Sequence, residues 1–274
     1  MKKILSSVLA AAMLLALCFG FASCGSEKLV VYTESGFAPF EYVKDGKIVG
    51  VDVDIMNLVG EKLGMEVVFE NVAFNTIIDA VAAGTLCNVG AAGLSITEAR
   101  KEKVTFSEEY YTANLYVIYK ADKAADYEST TTDDVTGIYW GALAGKNIAV
   151  QDGTTSDLFL TDEINEDWGV LYETGAKKSG FSLLATALAD VGVNCDALII
   201  DELPAKKLVE GKSQYKCAPL YYQGGDEEAD EAACDVYAIC VTPGQDKILA
   251  AINEVLAELG EAGVQELVAK HLGV

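Results

Sequence analysis

Short apolar runs alternate with amphipathic helical patterns along most of this chain. The segment Val53–Leu63 predicts a helix, because its apolar residues recur at helical spacing and Gly64 follows as a stop signal. The same alternation predicts strands at Leu29–Tyr32, Val67–Phe69, Val89–Ala92, Leu115–Tyr119, Ile148–Val150, Ala197–Ile200 and Tyr237–Val241. Strands that alternate with helices are typical of a parallel sheet, so the chain is predicted to be an α/β protein.

The pattern falls into two successive β/α sets, the second of which begins near Asn114. Two such sets predict two lobes of similar build, although no sequence repeat is visible. Two polar stretches, Asp122–Ala144 and the acidic Gly224–Asp235, are predicted to lie outside the regular elements. The remaining helices are predicted from Asn75 to Gly84, at Thr97, near Thr154, over Phe181–Val191, over Pro204–Leu208, and as two closing helices through Ile248 and Leu259.

The N-terminus has the pattern of a secretory signal. Lys2 and Lys3 precede the apolar stretch Ile4–Leu17, and small residues precede Cys24. The sequence Phe21-Ala22-Ser23-Cys24 resembles the lipobox of bacterial lipoproteins, in which the cysteine is lipidated, except that Leu usually stands where Phe21 does. The alternative is a plain cleaved signal with an incidental Cys24. No other run is long and apolar enough to span a bilayer.

Removal of residues 1–23 takes away two of the 20 basic residues and none of the 42 acidic ones, so the net charge becomes −24. A field of this sign argues against nucleic acid and anionic lipid surfaces as partners. The single histidine, His271, and the absence of a CxxC motif argue against a metal site, and no cofactor is expected. Five cysteines remain as candidates for an extracytoplasmic disulfide, with Cys217–Cys234 as the first choice: Cys87, Cys195, Cys217, Cys234 and Cys240.

Polar groups follow four of the predicted strands directly. Ligands of open parallel sheets bind beyond the carboxyl ends of the strands, so these groups are candidates for one site. These groups are Glu34 after the first strand, Gly93 and Ser95 with Arg100 after the third, Gln151 to Ser156 after the fifth, and Asp201 after the sixth, so the cation Arg100 is grouped with the anions Glu34 and Asp201.

Arg100 is the most informative of these residues. Thr97 opens a capping pattern in which Glu or Gln usually stands three residues later, but Arg100 occupies that position. A cation in the first turn opposes the helix dipole, whereas an anionic partner, best a carboxylate, explains it. The alternative is a surface arginine paired with Glu98 or Glu102.

The other candidates each have an ordinary structural interpretation as well. Asp201 directly after a buried strand calls for a cationic or donating partner, or it caps the helical turn at Pro204. The hydroxyls and backbone N–H groups of Gly153–Ser156 suit a carboxylate, but ordinary helix caps look the same. Phe37 and Phe74 are placed to wall a small ligand, and isolated aromatic residues are equally common in protein cores.

The chain resembles bacterial extracellular solute-binding protein family 3, the polar amino-acid receptors of ABC importers, from about Leu29 to the C-terminus. Six stretches in the family's order carry the resemblance. They are Gly36–Tyr42, Val49–Ile55, Ala92–Lys101, Val104–Ser107 with Tyr110 and Tyr111, Gly145–Gln151 with Gly153–Thr155, and Asp196–Asp201. The chain departs from the family at Val51, where Phe is usual, and at Asn88, where Asp is common.

The resemblance implies a two-lobe periplasmic-binding-protein-like fold of type II, with two crossover hinge strands. It places the signal peptide at residues 1–23, the first segment of lobe 1 at 24–112, lobe 2 at 113–222, and the return crossover with the rest of lobe 1 at 223–274. The ligand is expected between the lobes, which close on it as hinged domains.

The resemblance also implies a role for each candidate residue. The ligand carboxylate is expected at Arg100, aided by Gly93, Ser95 and Thr155, and its ammonium at Asp201. Ala92 and Thr154 are further candidates for ligand binding. Phe37 and Phe74 are expected to sandwich the ligand, and its side chain is expected to meet Glu34, Gln151 and Ser156. Glu34, Gln151 and Ser156 indicate a polar ligand side chain but do not identify which polar amino acid is bound.

The expected function is therefore capture of a polar amino acid and its delivery to the permease subunits of an ABC importer. The protein is expected to be a monomer anchored through lipid on Cys24 to the outer face of the cytoplasmic membrane. The alternatives are a dehydratase-like enzyme or a sensor module on the same fold. An enzyme is not expected, because the strand ends carry neither a histidine nor a nucleophile–base pair.

Overall fold

The computed structural model describes residues 27–225 and 228–273. The predicted signal segment and Cys24 lie outside these residues. No helix in the described ranges is long and apolar enough to cross a bilayer.

Seventeen strands and seven α-helices are present in the described part of the chain. The strands are β1 (Lys28–Thr33), β2 (Gly36–Phe37), β3 (Glu41–Lys44), β4 (Lys47–Val49), β5 (Glu66–Asn71), β6 (Val89–Gly90), β7 (Thr105–Phe106), β8 (Tyr111–Lys120), β9 (Glu128–Thr130), β10 (Thr136–Tyr139), β11 (Asn147–Gln151), β12 (Lys177–Phe181), β13 (Ala197–Asp201), β14 (Tyr215–Tyr222), β15 (Glu231–Ala232), β16 (Cys234–Tyr237) and β17 (Cys240–Val241). The helices are α1 (Val51–Leu63), α2 (Ile77–Ala83), α3 (Glu98–Lys101), α4 (Thr155–Asn165), α5 (Leu184–Asp190), α6 (Glu202–Val209) and α7 (Asp246–Leu272).

The first lobe is built on the sheet β5-β1-β6-β17-β7. Strands β1, β5 and β6 run parallel, and β17 is antiparallel to its neighbours β6 and β7. Helices α1 and α7 pack together beside this sheet and bury Ile55, Met56 and Val59 with Ile252 and Val255. This packing buries the apolar stripe that predicted α1, and Gly64 ends the helix in the left-handed conformation, as expected.

The second lobe repeats this arrangement in the sheet β12-β11-β13-β8-β14, which β10 and β9 extend. When the parallel and edge strands of each lobe are numbered in chain order, both sheets have the order second, first, third, visiting strand, fourth. The visiting strand is the one that the chain enters as it crosses from the other lobe. The visiting strand is antiparallel in each case, β17 in the first lobe and β8 in the second. The prediction of two α/β lobes of similar build is therefore confirmed.

Two chain segments connect the lobes. The chain leaves the first sheet after β7, enters the second sheet as β8, and returns through β16 into β17. β16 pairs with the start of β8 in antiparallel register, from Cys234 opposite Asn114 to Tyr237 opposite Tyr111. The two crossings thus form one hydrogen-bonded ribbon between the lobes.

Several predicted elements differ from the structure. The segment predicted as a helix over Phe181–Val191 contains the end of β12 and a helix that begins only at Leu184, because Leu183 is extended. Asn75 does not cap α2, since it lies in a 3-10 turn over Phe74–Thr76. The strand predicted over Val89–Ala92 ends at Gly90, and that over Tyr237–Val241 is split between β16 and β17. The acidic stretch Gly224–Asp235, predicted to lie outside the regular elements, contains β15 and the first half of β16, and the polar stretch Asp122–Ala144 contains β9 and β10.

The first choice of disulfide, Cys217–Cys234, is wrong. All five cysteines in the described residues are free. Cys217 pairs with Ile118 of β8, whereas Cys234 pairs with Asn114 of the same strand. Four residues of extended strand separate these two positions by about 13 Å, which is far beyond the reach of a disulfide.

Candidate functional site

A small cavity lies between the two lobes, where the carboxyl ends of four parallel strands converge. Nine residues line it, and all nine were candidates from the sequence: Glu34, Phe37, Phe74, Gly93, Ser95, Gln151, Thr154, Thr155 and Asp201. The remaining candidates, Ala92, Arg100 and Ser156, are buried but do not line the cavity. Ala92 belongs to a small apolar cluster of the first lobe.

Contacts across the cavity hold the lobes in a closed arrangement. The Ser95 hydroxyl of the first lobe lies 3.2 Å from the Thr155 hydroxyl of the second. Gln151 Nε2 approaches Glu34 Oε2 at 3.5 Å and also donates to the backbone carbonyl of Ser182. The Ser95–Thr155 and Gln151–Glu34 contacts join groups of different lobes, which would separate if the lobes rotated apart.

Arg100 is buried beside the cavity rather than on the surface, with 8% of the residue exposed. The expected Thr97 cap is present, since Thr97 Oγ1 accepts from the Arg100 backbone N–H. The guanidinium donates to the carbonyl oxygen of Ser95 at 2.5 Å and, across the cleft, to that of Gly153 at 2.8 Å. It pairs with neither Glu98 nor any other carboxylate in the described residues, so the surface ion-pair alternative is wrong.

The guanidinium retains capacity for a ligand. Five N–H donors are available on an arginine, and two of those on Arg100 are used by the two carbonyls. Burial lowers the pKa of Arg100, while the charge of Asp235 opposes this shift. A carboxylate beside Ser95 would meet free donors of a desolvated cation, which is the strong case for an ionic hydrogen bond.

Asp201 ends β13 at the cavity, in the N-cap position of α6. Its side chain makes no capping hydrogen bond, which removes the alternative role that local sequence allowed. Oδ1 is buried and has no hydrogen-bond partner. Burial raises the pKa of Asp201 to about 7, with a further contribution from the charge of Asp235. The neighbouring Tyr237 hydroxyl lowers this pKa but does not reach hydrogen-bond geometry, since it also has no partner.

Two aromatic residues form walls of the cavity. Phe37 packs against Phe40 and Tyr237, and the Arg100 guanidinium lies 5.7 Å from the centre of the Phe74 ring. Gly93 has a positive φ of 53°, and a Cβ atom there would lie 2.8 Å from the Phe37 ring. A glycine is therefore required at this position for both conformation and space.

Glu34 brings a second carboxyl group to the cavity wall. Burial raises the pKa of Glu34, and its contact with Gln151 and the backbone of Gly36 offset part of the shift. Glu34 is 5% exposed, and its hydrogen bond across the cleft, from Gln151 Nε2, is long at 3.5 Å. A donor-rich group of a ligand would satisfy it better than the 3.5 Å amide contact does.

Sequence reasoning missed three further buried acidic residues near the cavity: Glu41, Asp52 and Asp235. Asp52 accepts from the backbone N–H of Gly93 at 2.9 Å and from the Tyr110 hydroxyl at 2.5 Å, so it joins the cavity wall to the first crossing. Burial raises the pKa of Asp52 to about 6. Burial and the nearby charge of Asp52 raise the pKa of Glu41 well above its usual range.

Asp52→Asn is expected to raise the free energy of unfolding at pH 7.5 by about 1–3 kcal/mol. Burial raises the pKa of Asp52 to about 6, and each tenfold weakening of its acidity costs about 1.4 kcal/mol when the group is ionised in the folded state. The folded state holds the Asp52 proton more tightly than the unfolded chain does, so ionisation destabilises the fold as pH rises from about 4 to above 6. The amide retains the shape of the carboxyl without this cost.

Denaturant unfolding of both proteins at pH 7.5 and at pH 3.5 measures the effect. The difference between them should vanish at the lower pH, where Asp52 is protonated in both states. A variant that is less stable than the parent by more than about 1 kcal/mol at pH 7.5 would show that the ionic hydrogen bonds outweigh desolvation.

Metal chemistry has no support in the described residues. No three His, Cys, Asp or Glu side chains are grouped there in a way that would hold a metal ion. The cavity combines one buried cation with an excess of buried carboxyl groups, which suits a small ligand that carries both a carboxylate and positive charge.

The chain matches a family model over residues 29–274, that of the bacterial extracellular solute-binding proteins, family 3. It is similar to the arginine-binding extracellular protein ArtP of Bacillus subtilis, with 28% identity over 198 residues that cover 69% of this chain and 75% of that protein. It is also similar to the ABC transporter arginine-binding protein 1 of Escherichia coli, with 25% identity over 97% of this chain and 96% of that protein.

A solved structure shares the fold at TM-score 0.73. It is that of AbpA, an amino acid ABC transporter substrate-binding protein of Streptococcus pneumoniae, bound to L-arginine. The two chains are 26% identical, and the match covers 90% of this chain and 94% of that one.

Proposed function

Since this chain belongs to the bacterial extracellular solute-binding proteins, family 3, we propose that the amino acid it binds has a cationic side chain, with arginine as the first candidate. Its general role is that of the substrate-binding protein of an amino-acid ABC importer. The observation that carries the proposal is the charge around the cavity. Glu34, Asp201 and Asp235 are buried there, and Arg100 is the one buried cation of the described residues.

Charge balance favours a cationic side chain over a neutral one. A neutral amino acid is a zwitterion and adds no net charge to the cleft, whereas arginine adds one positive charge to a site with an excess of carboxyl groups. Burial of unpaired carboxylates is costly, so a ligand that supplies the missing cation gains affinity from groups already in place. That two relatives and the solved structure are described as binding arginine supports the same ligand.

The proposed ligand lies across the cleft. Its α-carboxylate meets the free donors of Arg100 with the hydroxyls of Ser95 and Thr155, and its α-ammonium meets Asp201. Its side chain points to Glu34 and Gln151, between the rings of Phe37 and Phe74. The lobes supply these groups jointly, so the ligand favours the closed state through contacts that exist only there.

Rotation about the paired crossings is the proposed opening motion. The ribbon of β8 and β16 links the lobes through the chain and through strand pairing, whereas contacts such as Ser95 with Thr155 lie across the cavity and separate when the cleft opens. Closed, liganded protein is then the form that docks on the permease.

The location is proposed from the N-terminus. Cleavage before Cys24 and lipidation of that residue would anchor a monomeric protein to the outer face of the cytoplasmic membrane. Mass spectrometry of the mature N-terminal peptide tests this directly, because a diacylglyceryl group on Cys24 has a distinctive mass. An unmodified N-terminus at another residue contradicts it.

A thermal-shift screen against the twenty amino acids tests the function. A ligand that binds only the folded state must raise Tm, and L-arginine should give the largest rise. We also propose that the protein only binds, so L-arginine incubated with it should be recovered unchanged. A larger rise with a neutral amino acid contradicts the cationic ligand, and conversion of the ligand contradicts the binding role.

Glu34→Gln is expected to weaken L-arginine binding by roughly 10- to 100-fold, since it removes a buried carboxylate from the proposed side-chain position. Binding of L-glutamine should change far less. Calorimetric titration of both ligands measures the ratio, with Glu70→Gln on the exposed end of β5 as the matched control. Equal changes for the two ligands would remove Glu34 from the side-chain position.

A further inference from the structure

Asp201 and Asp235 each pair with β8, one strand of the ribbon that connects the lobes, and lie on the same face of it. Asp201 pairs with Leu115 of β8, and Asp235 pairs with Ala113 of the same strand. Directly paired residues share a face, and residues two apart on a strand point the same way. Both carboxyl groups therefore emerge on the same side of β8, together with Tyr237, which pairs with Tyr111.

This face carries three buried polar atoms without partners: Asp201 Oδ1, Asp235 Oδ2 and the Tyr237 hydroxyl. Asp235 is 8% exposed, and its other oxygen accepts only from the adjacent backbone N–H of Val236, at 2.9 Å. A buried carboxylate without a donor is among the costliest groups in a protein interior. Such a cluster calls for a cationic group that brings several donors.

Arg100 does not fill that role. Its guanidinium donates to the carbonyls of Ser95 and Gly153, and no carboxylate oxygen of the described residues lies within ion-pair distance of it. Asp235 is near enough to Arg100 for their charges to interact, and the hydroxyls of Ser95 and Thr155 offset part of the rise that burial causes in its pKa. Asp235 does not itself line the cavity, but it is near enough to both Arg100 and Asp201 for their charges to interact.

We propose that Asp235 is a second carboxylate for the α-ammonium of the ligand, opposite Asp201. The proposal rests on the proposed function, because it assumes an amino acid in the cleft. A primary ammonium group has three N–H donors, enough to reach both carboxylates at once. Ala113, opposite Asp235, contributes only a methyl group to this face.

The placement of Asp235 gives the contact a consequence for closure. Asp201 ends a strand of the second lobe, whereas Asp235 belongs to the crossing itself. An ammonium bound by both ties the ligand to the hinge ribbon as well as to the two lobes. Ligands without an α-ammonium lack this tie to the hinge ribbon.

Asp235→Asn tests the proposal with two ligands of the same length, L-arginine and 5-guanidinopentanoate, which lacks only the α-amino group. Calorimetric titration at pH 7.5 should show L-arginine binding weakened at least about 30-fold, with the desamino compound changed by less than about threefold. Glu231→Gln, an exposed acidic residue on β15, is the matched control and should bind both ligands as the parent does.

Two results overturn the proposal. If Asp235 only balances the charge of Arg100, its removal frees that cation, and both ligands bind as tightly as before or more tightly. Equal weakening of both ligands shows a general structural role. Asp235→Ser, checked for a parental circular dichroism spectrum, repeats the comparison if the amide variant fails to fold.

Failure of the proposed function has a different signature. In that case the folded parent protein binds neither L-arginine nor any other amino acid. If the thermal-shift screen selects another amino acid, that amino acid and its desamino analogue replace L-arginine and 5-guanidinopentanoate. The effects of Asp235→Asn on the affinities for the two compounds are then compared in the same way.

Discussion

Arg100→Ala is expected to weaken amino-acid binding at least about 100-fold, or about 3 kcal/mol. The ligand carboxylate would then be desolvated without a cation, which is the costly way to break a buried ion pair. The variant also loses the link to the Gly153 carbonyl across the cleft, so the closed state loses a contact of its own. Calorimetric titration with L-arginine measures the loss.

Two variants sharpen this result. Lys101→Ala removes the next cation along the chain, which is exposed and pairs with Glu98, and it should leave the affinity unchanged. Arg100→Lys keeps the positive charge but loses the planar guanidinium that can bind a carboxylate through two hydrogen bonds. Its affinity for L-arginine should lie between those of the parent and of Arg100→Ala. Affinity retained within about threefold in Arg100→Ala would place the carboxylate elsewhere.

Asp201→Asn is expected to weaken binding of L-arginine roughly 100-fold and to leave binding of 5-guanidinopentanoate unchanged, because only L-arginine has an α-ammonium that can bind to Asp201. The parent protein should also bind L-arginine more weakly as the pH falls below about 7. In the free protein Asp201 is increasingly protonated there, and ammonium binding requires the carboxylate. Each further pH unit should cost up to about tenfold in affinity.

The pH dependence of ligand binding and the pH dependence of stability are expected to have opposite signs. A raised pKa means that the ionised Asp201 destabilises the free fold as pH rises from about 4 through 7, while the same ionisation strengthens ligand binding. Titrations from pH 5 to pH 8 in parent and Asp201→Asn test both. A parent Kd that is constant over this range, or an equal loss for the desamino compound, contradicts the assignment.

The candidate site was predictable to the extent that local sequence conflicted with local stability. Arg100 stands where it opposes a helix dipole, and Asp201 follows a fully buried strand. Each conflict indicated a role outside its own element, and both residues are buried at the cleft. The rule that ligands bind at strand ends then brought Glu34 and Gln151 to the same cavity, as the structure has them.

Asp235, Glu41 and Asp52 were not predictable in this way. Asp235 lies within a stretch so acidic that one more carboxylate gave no signal, and only the pairing of β16 with β8 buries it. Asp52 occupies the first turn of α1, where an acidic residue is already favoured by the dipole. Its contacts with Gly93 and Tyr110 span 41 and 58 residues of sequence, beyond any local pattern.

The fold shows the same division. α1 carries a clear apolar face and a glycine stop, and it was predicted to within two residues at its start. β12 was missed because its sequence, Lys177–Phe181, has no apolar alternation, and its pairing with β11 rather than its side chains makes it a strand. Tertiary context overrides propensity in such an edge strand.

Calorimetric titration of the purified protein with L-arginine at pH 7.5 tests the central claim most directly. The account predicts one site per chain and a Kd in the micromolar range or below, with weaker binding of agmatine, which lacks the carboxylate, and of 5-guanidinopentanoate, which lacks the ammonium. Binding of either analogue as tight as that of L-arginine, or no heat of binding for a folded sample, would contradict it.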